Sequence, residues 1–251
     1  MNATEYLQRI KYNGPLDLSQ KTLESLHLAH LFAVPFENLD IHLNRPIVLD
    51  DERLFRKIVE DRRGGFCYEL NSVFAQLLRS LGFNVTMLSG GVMSENGNFG
   101  PNFDHMTLMI EMKERWLVDV GFGDSFRMPV RLDERGEQKQ GNDSYRIDSD
   151  GESLTYLRFL SGEWRPQYLF TLEPRELSDY EEMCRYHQTS PKSHFTRKRV
   201  CTLATPEGRI TLSDRRLITT VGGERTEREL TGEEEYQSVL RDHFGVAIKE
   251  I

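Results

Sequence analysis

The chain has 251 residues, 38% hydrophobic and 29% charged, and a formal net charge of −8. This is the composition of an ordinary soluble globular protein with ample material for a core, and its acidic balance argues against a nucleic-acid partner. No apolar stretch approaches the length of a membrane span, and the N-terminus MNATEYLQRIKYNG carries no apolar segment that could act as a secretory signal.

Helical spacing dominates from Leu16 to Leu81. Ser19 is placed to cap a helix through His30, with Pro35 just beyond its end. Leu54, Phe55, Ile58 and Val59 form a second apolar stripe behind Asp50, a candidate cap. A third helix carries Leu70, Val73, Phe74, Leu77, Leu78 and Leu81 on one core-facing stripe and stops at Gly82. After Phe83 the period changes to two, and strands are expected near 83–88, 105–112, 115–120, 154–159 and 166–172. SENGNFGPN and RGEQKQGNDS read as turns between them. Further on, Ser178-x-x-Glu181 and Thr231-x-x-Glu234 resemble capping boxes that open helices near 179–188 and 232–243. Strands are expected between them near 198–203, 208–213 and 216–221. The coarse picture is a helical bundle, a β-rich middle and a smaller α/β piece.

Cys67, Cys184 and Cys201 are an odd, sparse set without CxxC spacing, which suits free thiols in a reducing cytoplasm. Cys67 follows Gly64-Gly65-Phe66 and falls in the first turn of the third helix. Unpaired backbone N–H groups and the positive end of the dipole favour a thiolate there. A nucleophilic cysteine needs a base, and the base an orienting group. His27 and His30 flank the first helix's stripe as packing or surface residues. His187, His194 and His243 lie in polar text and His42 in a loop, whereas His105 opens the strand pattern HMTLMIEM.

That strand and KERWLVDVGFG read as a hairpin in which Glu111 faces Arg115 across three residues. One face then carries Met106, Leu108, Ile110, Trp116, Val118 and Val120, all apolar. The other carries His105, Thr107, Glu111, Arg115 and Asp119, with Asp119 opposite Thr107 and diagonal to His105. Diagonal neighbours lie about 7–8 Å apart at the backbone, within reach of a carboxylate–imidazole hydrogen bond. A slip of one residue would scatter both faces. A thiol hydrolase of the papain or transglutaminase kind shares this Cys-His-Asp order, so acyl transfer to water or lysine stays open at this point.

The segments VPFENLDIH (34–42), RGGFCYELN (63–71), DHMTLMI (104–110) and LVDVGFG (117–123), with the looser SPKSHF (190–195), resemble the arylamine N-acetyltransferase family. The resemblance implies an α+β fold in three parts. They are a helical domain over 1–82 carrying Cys67, a β-barrel over 83–188 carrying His105 and Asp119, and an α/β lid over 189–251. It implies ping-pong transfer of acetyl from acetyl-CoA, as a substrate and without a metal, through Cys67 to an arylamine, arylhydrazine or N-hydroxyarylamine. Cys67, His105 and Asp119 would be its triad, Glu37 and Arg63 a supporting pair. Pocket candidates are Phe36, Phe66, Thr107, Phe122, Gly123 and Phe126. Lys192, His194, Arg197, Lys198 and Arg199 form a dense basic cluster suited to the phosphates of CoA. The partners implied are small molecules for a cytoplasmic monomer or homodimer. Related amide synthases with the same triad accept other acyl donors.

Overall fold

The computed structural model describes residues 1–248, so the last three positions of the expected 189–251 segment lie outside the described residues. The helical part comprises α1 (Ala3–Arg9), α2 (Gln20–Ala33), α3 (Leu39–His42), α4 (Asp51–Phe55) and α5 (Cys67–Ser80). Ser19 caps α2 and Asp50 caps α4, each side chain accepting an N–H three residues on. Gly82, at φ +100°, ends α5 as expected. The short helix α1 has no counterpart in the sequence reading. Its Arg9 donates to the carbonyls of Ala33, Ile58, Arg62 and Arg63 and so fastens the turn that precedes Cys67.

The strands β1 (Phe36–Glu37), β2 (Asn84–Val92), β3 (His105–Glu111), β4 (Arg115–Val118), β5 (Val130–Arg131), β6 (Gln138–Gln140), β7 (Asp143–Asp150), β8 (Ser153–Leu160) and β9 (Glu163–Thr171) follow in chain order. From β2 to β9 they form one antiparallel sheet, β5-β4-β3-β2-β9-β8-β7-β6, that curls into a nearly closed barrel. Its two edges meet through side chains. The Gln140 amide accepts from the N–H of Arg127 and Met128 and donates to Met128, while Gln138 exchanges two hydrogen bonds with the backbone of Arg131. The segment RGEQKQGNDS is therefore not simply a turn, because it contains β6.

The register of β3 with β4 matches the expected hairpin, with Glu111 opposite Arg115 and Leu108 opposite Val118. Met106, Leu108, Ile110, Trp116, Val118 and Val120 pack with the helices in the first core. The opposite face is not merely polar. Met109 and Leu117 point from it into the barrel core with Phe126, Tyr145, Tyr156 and Tyr168. Both faces of the hairpin are thus buried, which suits its position between helices and barrel.

Beyond the barrel, α6 (Glu181–Thr189) and α7 (His194–Arg197) lead into β10 (Val200–Thr205), β11 (Gly208–Ser213), β12 (Arg216–Val221) and β13 (Glu224–Glu229). These four strands and β1 form a second antiparallel sheet, with β1 on β10, and α8 (Glu233–Phe244) covers it. Neither predicted capping box forms. Glu176 and Asp179 close the turn before α6, and Thr231 bonds Glu235 rather than Glu234. Each true partner is displaced by one or two positions in a stretch dense with interchangeable acids.

Candidate active site

In the turn that delivers Cys67 the left-handed residue is Arg62, at φ +55°, and its two glycines are required by close contact instead. A Cβ on Gly64 would lie 2.1 Å from the Pro35 carbonyl oxygen, and one on Gly65 would lie 2.7 Å from a Glu69 carboxylate oxygen. The glycines let this segment lie against β1 while Glu69, in the first turn of α5, accepts the N–H of Phe66 at 3.1 Å. Cys67 opens the helix and is buried. Burial pushes its thiol well above the ordinary value, with Asp119 and Asp104 pushing the same way, while a backbone hydrogen bond from Met106 pulls it down. The helix start and the Met106 hydrogen bond thus act against a desolvation that favours the neutral thiol.

His105 begins β3, and its Nε2 lies 2.7 Å from Asp119 Oδ2. Phe122 and Tyr168 wall the imidazole at ring distances of 5.1 and 5.0 Å. Asp119 sits one residue past β4. Its Oδ1 accepts from Asn71 Nδ2 at 3.0 Å and from the Gly121 N–H at 2.9 Å. Burial alone would raise this carboxyl, but His105, Asn71 and Gly121 hold it below the usual carboxylate value.

Asn71 ends the RGGFCYELN segment, where the sequence alone shows no role for it. From one turn beyond Cys67 it donates to the carbonyl of Met106 and to Asp119, and it accepts the N–H of Val120. It thereby ties the helix that carries the thiol to β3 and to the segment that follows β4. Gly121 completes the approach, because a Cβ there would lie 2.7 Å from Cys67 Cα.

Glu37 and Arg63 pair at 2.8 Å, as expected, and belong to a larger buried cluster. Arg63 also meets Asp40, and Lys57 bridges Asp40 and Glu69 at 2.7 Å each. Asp40 and Glu69 lie inside the VPFENLDIH and RGGFCYELN segments but had no assigned role there, and Lys57 lies outside both; the three come together only in the fold.

Cys67 and His105 line one cavity of about 720 Å³ with Phe36, Val92, Asp104 and Phe122, among others. His194, Arg197 and Lys198 stand at its wall, and Lys192 lines an adjoining cavity that shares His194 and Arg197. Arg199 points elsewhere, over the Tyr236 ring at 4.3 Å. Four pocket candidates lie outside the lining. Phe66 packs on Tyr68 and Phe195. Thr107 bonds the Val118 carbonyl, Phe126 is in the barrel core, and Gly123 faces Phe36 and Thr202.

A family model described as N-acetyltransferase matches residues 19–251. The arylamine N-acetyltransferase of Escherichia coli (strain K12) is 34% identical, covering 97% of this chain and 88% of its own. That of Mycolicibacterium smegmatis is 33% identical over 100% of this chain and 94% of its own. The chain belongs to the arylamine N-acetyltransferase family. Solved structures of the family superimpose along nearly the whole chain. The Salmonella typhimurium enzyme matches with a TM-score of 0.93 at 29% identity, covering 99% of this chain and 92% of its own. A Mycobacterium marinum family structure in complex with CoA matches at 0.90 and 31% identity, covering 98% and 93%. Among the described residues no group of His, Cys, Asp and Glu side chains is arranged to hold a metal ion.

Proposed function

We propose that this protein transfers an acetyl group from acetyl-CoA to arylamines, arylhydrazines or N-hydroxyarylamines by a ping-pong route through a Cys67 thioester. The observation that carries the reading is the His105–Asp119 hydrogen bond at 2.7 Å, with His105 and Cys67 on one cavity. Asp119 occupies Nε2, so Nδ1 is the nitrogen that exchanges a proton with the thiol. A thiol buried this deeply ionises at neutral pH by handing its proton to that imidazole, which Asp119 stabilises in its charged form.

The thiolate attacks the acetyl carbonyl of acetyl-CoA, the C–S bond to CoA breaks, and the CoA thiolate takes the imidazolium proton as it leaves. The acceptor nitrogen then attacks the thioester while Nδ1 removes its proton, and the Cys67 thiolate departs as the amide forms. An aniline nitrogen is a weak base, so proton removal during attack is where His105 contributes. In this reading the helical part presents the sulfur, the barrel presents base and orienter, and the segment from 189 onward borders the cavity. Lys192, His194, Arg197 and Lys198 are assigned to the phosphates of CoA, a molecule that the Mycobacterium marinum relative binds.

Intact-protein mass after acetyl-CoA is added without amine tests the reading. One acetyl group on the wild type, absent from Cys67→Ala and removed by an arylamine, is expected. No adduct on a Cys67 that is still readily alkylated would overturn it in favour of another donor or of hydrolysis.

A further inference from the structure

The ladder between β3 and β4 ends at Val118, so Asp119 holds its position without a strand partner. Its backbone turns to a side chain from a distant helix. Nε2 of His27, on α2, lies 3.1 Å from the Asp119 carbonyl oxygen and 3.4 Å from the Asp119 nitrogen. The other ring nitrogen is 2.9 Å from the carbonyl oxygen of Arg127. The ring is fully buried, stacked on Phe126 at 5.6 Å with an 18° interplanar angle, and meets the edge of Phe74 at 6.2 Å. A neutral imidazole carries one N–H: on Nδ1 it donates to the Arg127 carbonyl and Nε2 accepts the Asp119 N–H, and on Nε2 it donates to the Asp119 carbonyl, so either tautomer holds the Asp119 backbone. The imidazole therefore occupies the place of a neighbouring strand beside a residue whose carboxylate must stay within hydrogen-bond reach of His105.

We infer that His27 is a positioning residue for the transfer reaction, fixing the Asp119 backbone so that its carboxylate orients His105. The inference rests on the proposed Cys67–His105–Asp119 chemistry. His30 supplies a control from the same helix: it is equally buried, yet its Nδ1 bonds the Tyr6 hydroxyl at 2.7 Å, away from the hairpin.

The test compares His27→Phe and His27→Leu, which lose the hydrogen bonds with an aromatic and with an aliphatic side chain, with His27→Gln, which keeps a donor and an acceptor. His30→Leu controls for packing. Three quantities are read: Tm, steady-state kinetics, and the pH dependence of Cys67 alkylation by iodoacetamide, which needs no acyl donor. In the Phe and Leu variants kcat is expected to fall by about tenfold to a hundredfold, with KM for acetyl-CoA within about twofold of wild type. Their alkylation midpoint is expected at higher pH, because a loosened Asp119 stabilises the imidazolium less. His27→Gln recovers part of both, and His30→Leu lowers Tm without moving the midpoint. An unmoved midpoint with wild-type kcat in a folded Phe or Leu variant would overturn the assignment. So would an equal shift in His30→Leu, or failure of both variants to fold, which would make His27 a folding residue alone. Because alkylation is independent of acetyl-CoA, a wild type that takes no acetyl group would refute the transfer reading while this comparison still decides the role of His27.

Discussion

Asp119 is held from three sides: His105 and Asn71 on its carboxylate, His27 on its backbone. Removing its charge while keeping its shape leaves that frame intact and tests the charge. Asp119→Asn is expected to lower kcat by on the order of 10³-fold or more through loss of imidazolium stabilisation, with Tm nearly unchanged. Full activity in a folded variant would discard the orienting role. Glu69 makes a second residue-scale case. It shares Lys57 with Asp40, so three buried acids face two cations, and burial pushes the Glu69 carboxyl up to about 7. Its folded pKa lies above the unfolded one, so folding favours the protonated form. That contribution is complete below the unfolded value and is lost as pH rises toward 7. Wild type should therefore lose stability relative to Glu69→Gln between about pH 5 and pH 8, measured as the difference of their urea midpoints. A difference that stays flat or grows with pH refutes it. At this scale the sequence was informative about Asp119, because two alternating strands admit one register that keeps both faces sorted. It placed Glu69 and Asn71 within RGGFCYELN but could not show their partners, which lie on other elements.

At the scale of elements, contact between α5 and the segment after β4 sets the site. Gly121→Ala would place a methyl group 2.7 Å from Cys67 Cα, against a helix backbone that cannot swing aside. We expect at least about a hundredfold loss of kcat in a protein that still folds, read from kinetics beside near-ultraviolet circular dichroism. Retention of activity would mean that the helix tolerates displacement. The long helices α2 and α5 and the β3–β4 hairpin were legible because each buries a periodic apolar stripe. The strands β6 and β13 were not. The residues of β13 are all exposed, and those of β6 are polar, so neither shows the alternation by which a half-buried strand announces itself. Both lie at sheet edges, where charged and amide side chains discourage pairing with another chain.

Across the whole molecule the charge is negative, yet His194, Arg197 and Lys198 stand at the cavity that holds Cys67. Arg197 and Lys198 share that lining with Asp104 and Asp214, and these two cations act on a polyanionic substrate over distances set by ionic strength. Arg197→Ala with Lys198→Ala should raise KM for acetyl-CoA about tenfold at low salt while leaving that for a neutral arylamine unchanged, and added salt should shrink the difference. Equal effects on both substrates would remove these residues from CoA binding. The barrel's closure was illegible in sequence for a related reason, since it runs through glutamine amides bonded to backbone rather than through another strand pair.

The Asn71 bridge also has a consequence in time. Cys67 stands 38 residues before His105 and 52 before Asp119 in the chain, and Asn71 connects them across separately formed elements. Helices close locally and early, whereas contacts between distant segments form late. During refolding from urea, far-ultraviolet signal should return first, and acetyl transfer should appear together with the native pH dependence of Cys67 alkylation, as one later event.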